Sequence, residues 1–194
     1  MNTDSNELLV VLDFDKTAVK SDSIVTLALK YFASWQRIRF IFLSVVHKFG
    51  WLSHSDFKRK VIPDIEEFLF LKRETKAVSV DYWTALKAQR SDLLEICQQS
   101  DATILVVSAT PFFLVEFLLS DILTDKFAVA GRGAEDFYAD GKVDAVRAYL
   151  ASASRGFNLI IGFGDSYSDL ELRHVCDFFY KVERDTLTGM YGGN

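Results

Sequence analysis

Two carboxylates spaced two apart, Asp13 and Asp15, follow directly on the apolar run Leu8–Leu12, with Thr17 just beyond them. A strand ending this way brings concentrated negative charge to one edge of a sheet. Unpaired carboxylates at a buried edge are costly, so a cation or a catalytic task is the natural compensation. Other polar groups stand at comparable points. Ser108 closes the run Thr103–Val107. Asp165 and Asp169 follow Asn158–Phe163, within Gly162-Phe163-Gly164-Asp165-Ser166-Tyr167-Ser168-Asp169. Lys142 stands just before a helical pattern, in Asp140-Gly141-Lys142-Val143-Asp144. Taken singly, most have plain structural uses: a strand-end Asp is a turn or cap residue, Ser108 caps a helix starting near Pro111, and Lys142 is a surface lysine. The pair Asp13 and Asp15 has no such cheap use, and the coincidence of all six favours chemistry.

The elements that must position them follow from periodicity. The runs Leu8–Leu12, Thr103–Val107, Lys126–Ala130, Asn158–Phe163 and Phe178–Val182 are near-continuously apolar, which predicts strands buried on both faces of a parallel sheet. Helical patterns at Ser91–Cys97, Pro111–Leu119, Val143–Leu150 and Asp169–Val175 separate the later runs. Strands alternating with helices imply βαβ crossovers and a three-layer, Rossmann-like α/β fold. In such open sheets ligands bind at the carboxyl ends of the strands, where the six polar residues fall. Between the first two strands, 20–88 reads as a small all-helical insertion. Ile38, Ile41, Phe42, Val45, Val46 and Phe49 share one helical face. Ser55 is placed to cap a helix ending before Pro63, and Asp64–Lys72 forms another. The expected domains are 1–19 with 89–194 for the α/β body and 20–88 for the insertion.

Composition excludes other classes. The chain is 49% hydrophobic and 25% charged, with two prolines and ten glycines, as a globular domain is. The polar, acidic start, Met1–Glu7, lacks a secretory pattern. No apolar stretch approaches the ~20 residues of a membrane span. Cys97 and Cys176 read as reduced core thiols, so a cytoplasmic protein is expected. The net charge of −5 hides an asymmetry: Val19–Ala88 holds twelve Lys/Arg against seven Asp/Glu. A basic insertion on an acidic body suits an anionic ligand, while the overall acidity speaks against nucleic acid as a partner. His47, His54 and His174 show no metal-ligand spacing. Arg132 reads as a turn residue, and neither Gly131 nor Gly162-Phe163-Gly164 forms a dinucleotide fingerprint.

Four of these segments, in this order, resemble the motifs of the haloacid dehalogenase (HAD) superfamily. Asp13-Phe14-Asp15-Lys16-Thr17 is similar to its DxDx[TV] signature, Ser108 to the second motif, Lys142 to the third, and Gly164-Asp165-Ser166-Tyr167-Ser168-Asp169 to the fourth, GDxxxD. The resemblance spans about Leu8–Val182. It implies a phosphohydrolase with a helical cap after strand one, in which Asp13 attacks phosphorus and Asp15 is general acid and base. It further implies Mg²⁺ held by Asp13, Asp165 and the backbone carbonyl of Asp15, with Asp169 binding directly or through the metal's waters. Ser108 and Lys142 would hold the phosphoryl oxygens, and Thr17 would order the loop. The aspartate at 15 favours phosphoester chemistry over dehalogenation. Thr17 and Ser108-Ala109-Thr110-Pro111 resemble the phosphoserine-phosphatase-like branch, yet that branch's phosphoserine enzymes carry glycines after the serine, where this chain has Ala109-Thr110-Pro111. The substrate expected is a small phosphoester. A phosphomutase or phosphotransferase sharing the Asp13 intermediate is the alternative, or a non-catalytic binding module.

The insertion is rich in aromatics: Tyr31, Phe32, Trp35, Phe40, Phe42, Phe49, Trp51 and Phe57. Core packing is expected for most of them. Trp35, Phe40 and Trp51 with Arg37, Arg39 and Lys48 also form an apolar, basic stripe suited to peripheral contact with an anionic membrane.

Overall fold

The computed structural model describes residues 7–53, 56–57, 59–65, 67, 90–110, 114–115, 119, 122, 127–130, 140–154, 156–184 and 186–192. Two compact units emerge, Met1–Ser21 with Gln89–Asn194, and Asp22–Ala88. The first is built on a six-stranded sheet of β1 (Leu8–Leu12), β2 (Thr103–Val107), β3 (Phe127–Ala130), β4 (Leu159–Gly164), β5 (Phe178–Glu183) and β6 (Thr186–Gly192). The spatial order is β3-β2-β1-β4-β5-β6. The first five strands pair in parallel, and β6 pairs antiparallel to β5. The sheet is thus the expected parallel α/β sheet with one added antiparallel edge.

The apolar runs become strands because both faces are covered. Leu9, Val10, Val11 and Leu12 are all buried, as is the whole of β2. Leu9, Val11, Leu105, Val107, Val146, Leu172 and Phe179 form one core cluster. It is completed by α4 (Asp140–Ser152) and by a 3-10 helix, Tyr167–His174. α3 (Asp92–Gln99) starts where Ser91 Oγ accepts a hydrogen bond from the Leu94 amide. Cys97 and Cys176 are free and buried, and burial pushes their thiols up to about 11 and about 12, so neither is a ready nucleophile.

Strand β1 is the one that matters for the site. It lies between β2 and β4, with Leu12 level with Val106 on one side and Phe163 on the other. The chain leaves β1 towards β2 and β3, then returns to β4 on the opposite flank. That reversal opens a crevice at the carboxyl edge.

The second unit carries α1 (Ser23–Tyr31), capped by Asp22, and α2 (Ser34–Lys48). Gly50, at φ 75, ends α2 in the left-handed conformation that only glycine adopts at no steric cost, and Trp51 N–H returns to the Val46 carbonyl at 3.1 Å. Three expectations change here. Pro63 stands inside helical residues 59–65 instead of ending a helix, since a proline can kink a helix without terminating it. The capping hydroxyl at the next helical start is that of Ser53, which accepts from the Asp56 amide at 3.1 Å. The apolar face of α2 points outward, and Phe40 is its buried residue. Ser55, His54, Gly131, Arg132, and most of Pro111–Leu119 and Asp64–Lys72 lie outside the described residues. No helix among the described residues is long and apolar enough to cross a membrane.

Candidate active site

Asp13 sits one residue beyond β1, and its amide donates to the Phe163 carbonyl of β4 at 2.9 Å, which fixes it at the crevice. Beyond it the chain folds back: Val19 N–H bonds the Phe14 carbonyl at 2.9 Å and Ala18 N–H the Asp13 carbonyl at 3.2 Å. Lys16 within this turn has φ 58, a conformation costing an L-residue about 1 kcal/mol. Its ammonium reaches to 3.8 Å from Asp165. The turn is ordered through its backbone; the Thr17 hydroxyl is buried and makes no hydrogen bond among the described residues.

Four of the six expected residues converge. Lys142 Nζ donates to Asp13 Oδ1 at 2.7 Å and to Asp169 Oδ1 at 2.5 Å, and all three side chains are buried. Carboxylate oxygens of Asp13, Asp165 and Asp169 lie within 4.8 Å of one another. Lys142 belongs to the first turn of α4 and does not precede the helix, which starts at Asp140. Asp169 is wholly buried and uses both oxygens: Oδ2 accepts from the Ser166 amide at 3.0 Å and the Ser166 hydroxyl at 2.6 Å. Gly164 makes this possible, because a Cβ there would meet the Asp169 Cβ at 2.5 Å.

The remaining two, Ser108 and Asp15, are joined to each other through Thr110, and the Asp15 charge is felt at Asp13. The Thr110 amide donates to Ser108 Oγ at 2.9 Å, leaving the serine's own proton to donate elsewhere, and the Thr110 hydroxyl donates to Asp15 Oδ2 at 2.5 Å. Thr110 and Lys16 are the site residues that sequence reasoning passed over. Their signals were a hydroxyl two residues past Ser108 and a lysine inside the acidic motif.

The electrostatics follow from burial. Desolvation pushes the Asp13 carboxyl up to about 7, against the pull of the Lys142 ammonium and reinforced by the Asp169 charge. Burial also raises Asp165, with Asp169 adding to the rise and Lys16 and Lys142 opposing it. Burial works against the charge on Lys142, but Asp13 and Asp169 outweigh it and hold the ammonium above the ordinary lysine value. Four carboxylates face two lysines, so the fully ionised site lacks two positive charges. Hard carboxylate oxygens at this spacing, with that deficit, fit a small divalent cation such as Mg²⁺.

A buried acidic centre at the carboxyl edge of a parallel sheet, beside the point where strand order reverses, defines the chain as an α/β protein with a ligand-binding or catalytic crevice. The sequence profile of the haloacid dehalogenase-like hydrolases matches residues 10–173. The chain belongs to that hydrolase family, and its acidic centre lies inside the matched region. No curated protein matches it. Among solved structures, a protein described as of unknown function from Bordetella pertussis Tohama I is 16% identical, with a TM-score of 0.63 and 91% of this chain and 90% of that one covered. A phosphoserine phosphatase described as a phospho-aspartyl intermediate analogue is 15% identical, with a TM-score of 0.59 and coverage of 91% and 87%. A substrate-bound phosphoserine phosphatase complex is also 15% identical, with a TM-score of 0.58 and coverage of 89% and 84%. At these identities the likeness is one of fold.

Proposed function

We propose that this chain is a Mg²⁺-dependent phosphatase that hydrolyses a phosphate monoester through an aspartyl-phosphate on Asp13. The observation that carries the reading is Asp13 itself: a buried carboxylate closing the central strand, 2.7 Å from a buried lysine, with two further carboxylates close by. Such a group has no cheap structural use, and its setting supplies what a nucleophile needs.

The Asp13 carboxylate attacks phosphorus as the bond to the ester oxygen breaks. Asp15 gives its proton to the departing alkoxide, then takes one from the water that attacks the acyl phosphate, releasing inorganic phosphate and regenerating Asp13. Lys142 and the Ser108 hydroxyl bind the phosphoryl oxygens as charge spreads over them. Asp169 positions Lys142 and the Ser166 turn, and would hold the metal directly or through its waters. Mg²⁺ held by Asp13, Asp165 and the backbone carbonyl of Asp15 would offset the repulsion between a phosphate dianion and a carboxylate nucleophile. The inserted segment 20–88, entered directly after the Asp13 turn, is the cap that selects the ester. The departure at Ala109-Thr110-Pro111 argues for a substrate other than phosphoserine.

The test is phosphate release from p-nitrophenyl phosphate and a panel of phosphoesters, with Mg²⁺ and with EDTA, for the wild type and Asp13→Asn. The expected result is metal-dependent release that Asp13→Asn reduces to background, with the best ester reporting the cap's choice. Undiminished release by Asp13→Asn, or no release from any ester by the folded wild type, overturns the reading. Transfer of the phosphoryl group to an added alcohol or sugar in place of water would assign the chain to the phosphotransferases.

A further inference from the structure

Helix α2 is apolar on two faces, and among the described residues only one of them is packed. The inner face packs within its own unit: Phe40 meets Phe32 edge-on at 6.4 Å and Phe57 at 5.9 Å, and His47 stacks on Phe57 at 5.2 Å. The outer face carries Trp35, Ile38, Phe42, Val45 and Phe49, spaced three and four apart as one stripe, with Trp51 just past its end. They are not marginally exposed: Trp35 is 73%, Phe42 64%, Phe49 70% and Trp51 81% accessible. A continuous apolar surface of this kind marks an interaction site and not the scatter of a normal surface.

We propose that this face of α2 docks on the surface of an anionic lipid bilayer, with the helix lying in the interface. Charge supports that occupant. From Ser23 to Ser53 the chain contains no Asp or Glu, whereas the protein as a whole carries −5. Arg37 and Lys48 are exposed on α2 beside the stripe. Arg39 instead is paired with Asp64 at 2.5 Å and ties the helix to its own unit. Tryptophan and phenylalanine with flanking cations are the side chains that settle at the headgroup boundary. With 15 residues, α2 is about 22 Å long, too short to span a bilayer and long enough to lie along one. A second copy is the poorer occupant, since a two-fold interface through this stripe would face Arg37 and Lys48 with their own duplicates and no acid on either helix. Nucleic acid is poorer still, because Ile38 and Val45 offer no stacking plane to a base. The inference is independent of the catalytic reading.

The full chain is tested by co-sedimentation with phosphatidylcholine vesicles and with mixed phosphatidylcholine–phosphatidylglycerol vesicles, alongside its oligomeric state in solution. Binding is expected to the anionic vesicles, weakening with added salt, with a blue shift of tryptophan emission. Arg37→Gln with Lys48→Gln should lower partitioning by about thirtyfold. Trp35→Ser with Phe42→Ser should lower it at least as much while leaving the unfolding transition in place. Leu187→Ser, at a solvent-facing apolar site on β6, should leave it unchanged. Four results overturn the proposal: no binding by the folded monomer, equal binding to neutral vesicles, equal loss in Leu187→Ser, or a dimer that the α2 variants dissolve.

Discussion

Asp13 and Asp15 are two residues apart in sequence and live in different physical worlds. Asp13 is buried, charge-paired with Lys142 and crowded by two more carboxylates. Asp15 is half-buried and accepts a hydroxyl hydrogen bond from Thr110 on the neighbouring strand's loop. One side of the site is governed by desolvated charge, the other by directed hydrogen bonding. That asymmetry is what a reaction with one nucleophile and one proton carrier requires: like residues given unlike tasks by their surroundings. It also means the two sides should break differently.

The largest effect is expected on the charged side. Lys142→Met removes the counter-ion of both Asp13 and Asp169 while keeping the bulk of the side chain, leaving two carboxylates buried without compensation. Urea unfolding of the metal-free protein should show a loss of about 3–5 kcal/mol, with part recovered when Asp13→Asn is added. A loss below about 1 kcal/mol, the scale of an exposed ion pair, would show that the triad is not desolvated.

Metal and pH probe the same side more gently. With Asp13 raised to about 7 from an ordinary 3.8, the folded metal-free protein holds a proton that the unfolded chain has released. Its stability from this group is therefore full at acid pH and falls as pH rises towards neutrality. Mg²⁺ competes with that proton, so its affinity should rise up to tenfold per pH unit below the titration and level off above it. The gain in unfolding temperature on adding Mg²⁺, measured against EDTA, should be larger at about pH 8 than at about pH 6. An equal gain at both, or one that survives Asp13→Asn, separates the metal from this carboxylate.

Much of this was legible beforehand for a physical reason. Strands covered on both faces must be apolar throughout, so Leu8–Leu12 and Thr103–Val107 announced themselves, and the carboxylates and serine that end them stood out against that background. Strand β6 did not, because an exposed edge strand carrying Gly189 needs no apolar run. The period of α2 gave its apolar stripe correctly but not its direction, since periodicity defines a face and says nothing about what covers it. Lys142 falls inside α4 and not before it, because the helical pattern read from Val143 onward starts three residues later than the helix itself, at Asp140. Thr110 was visible only as a departure from a familiar pattern. Its bond to Asp15 joins residues 95 apart in sequence, which no local signal encodes.

Thr110 is also where the comparison is sharpest, with the smallest expected effect. Thr110→Val keeps the shape and removes the hydroxyl that holds Asp15 Oδ2. If Asp15 carries the proton to the leaving group, the loss should be about fivefold in kcat, the worth of one hydrogen bond, with stability nearly unchanged. The loss should also depend on the ester. An alkyl phosphate, whose alkoxide must be protonated as it leaves, should suffer more than p-nitrophenyl phosphate, whose phenolate leaves without help. Thr110→Ser, which restores the donor, should restore the rate. A uniform loss across esters, or a loss that serine does not rescue, would make Thr110 a packing residue of the Ser108 loop and leave Asp15 positioned by other contacts.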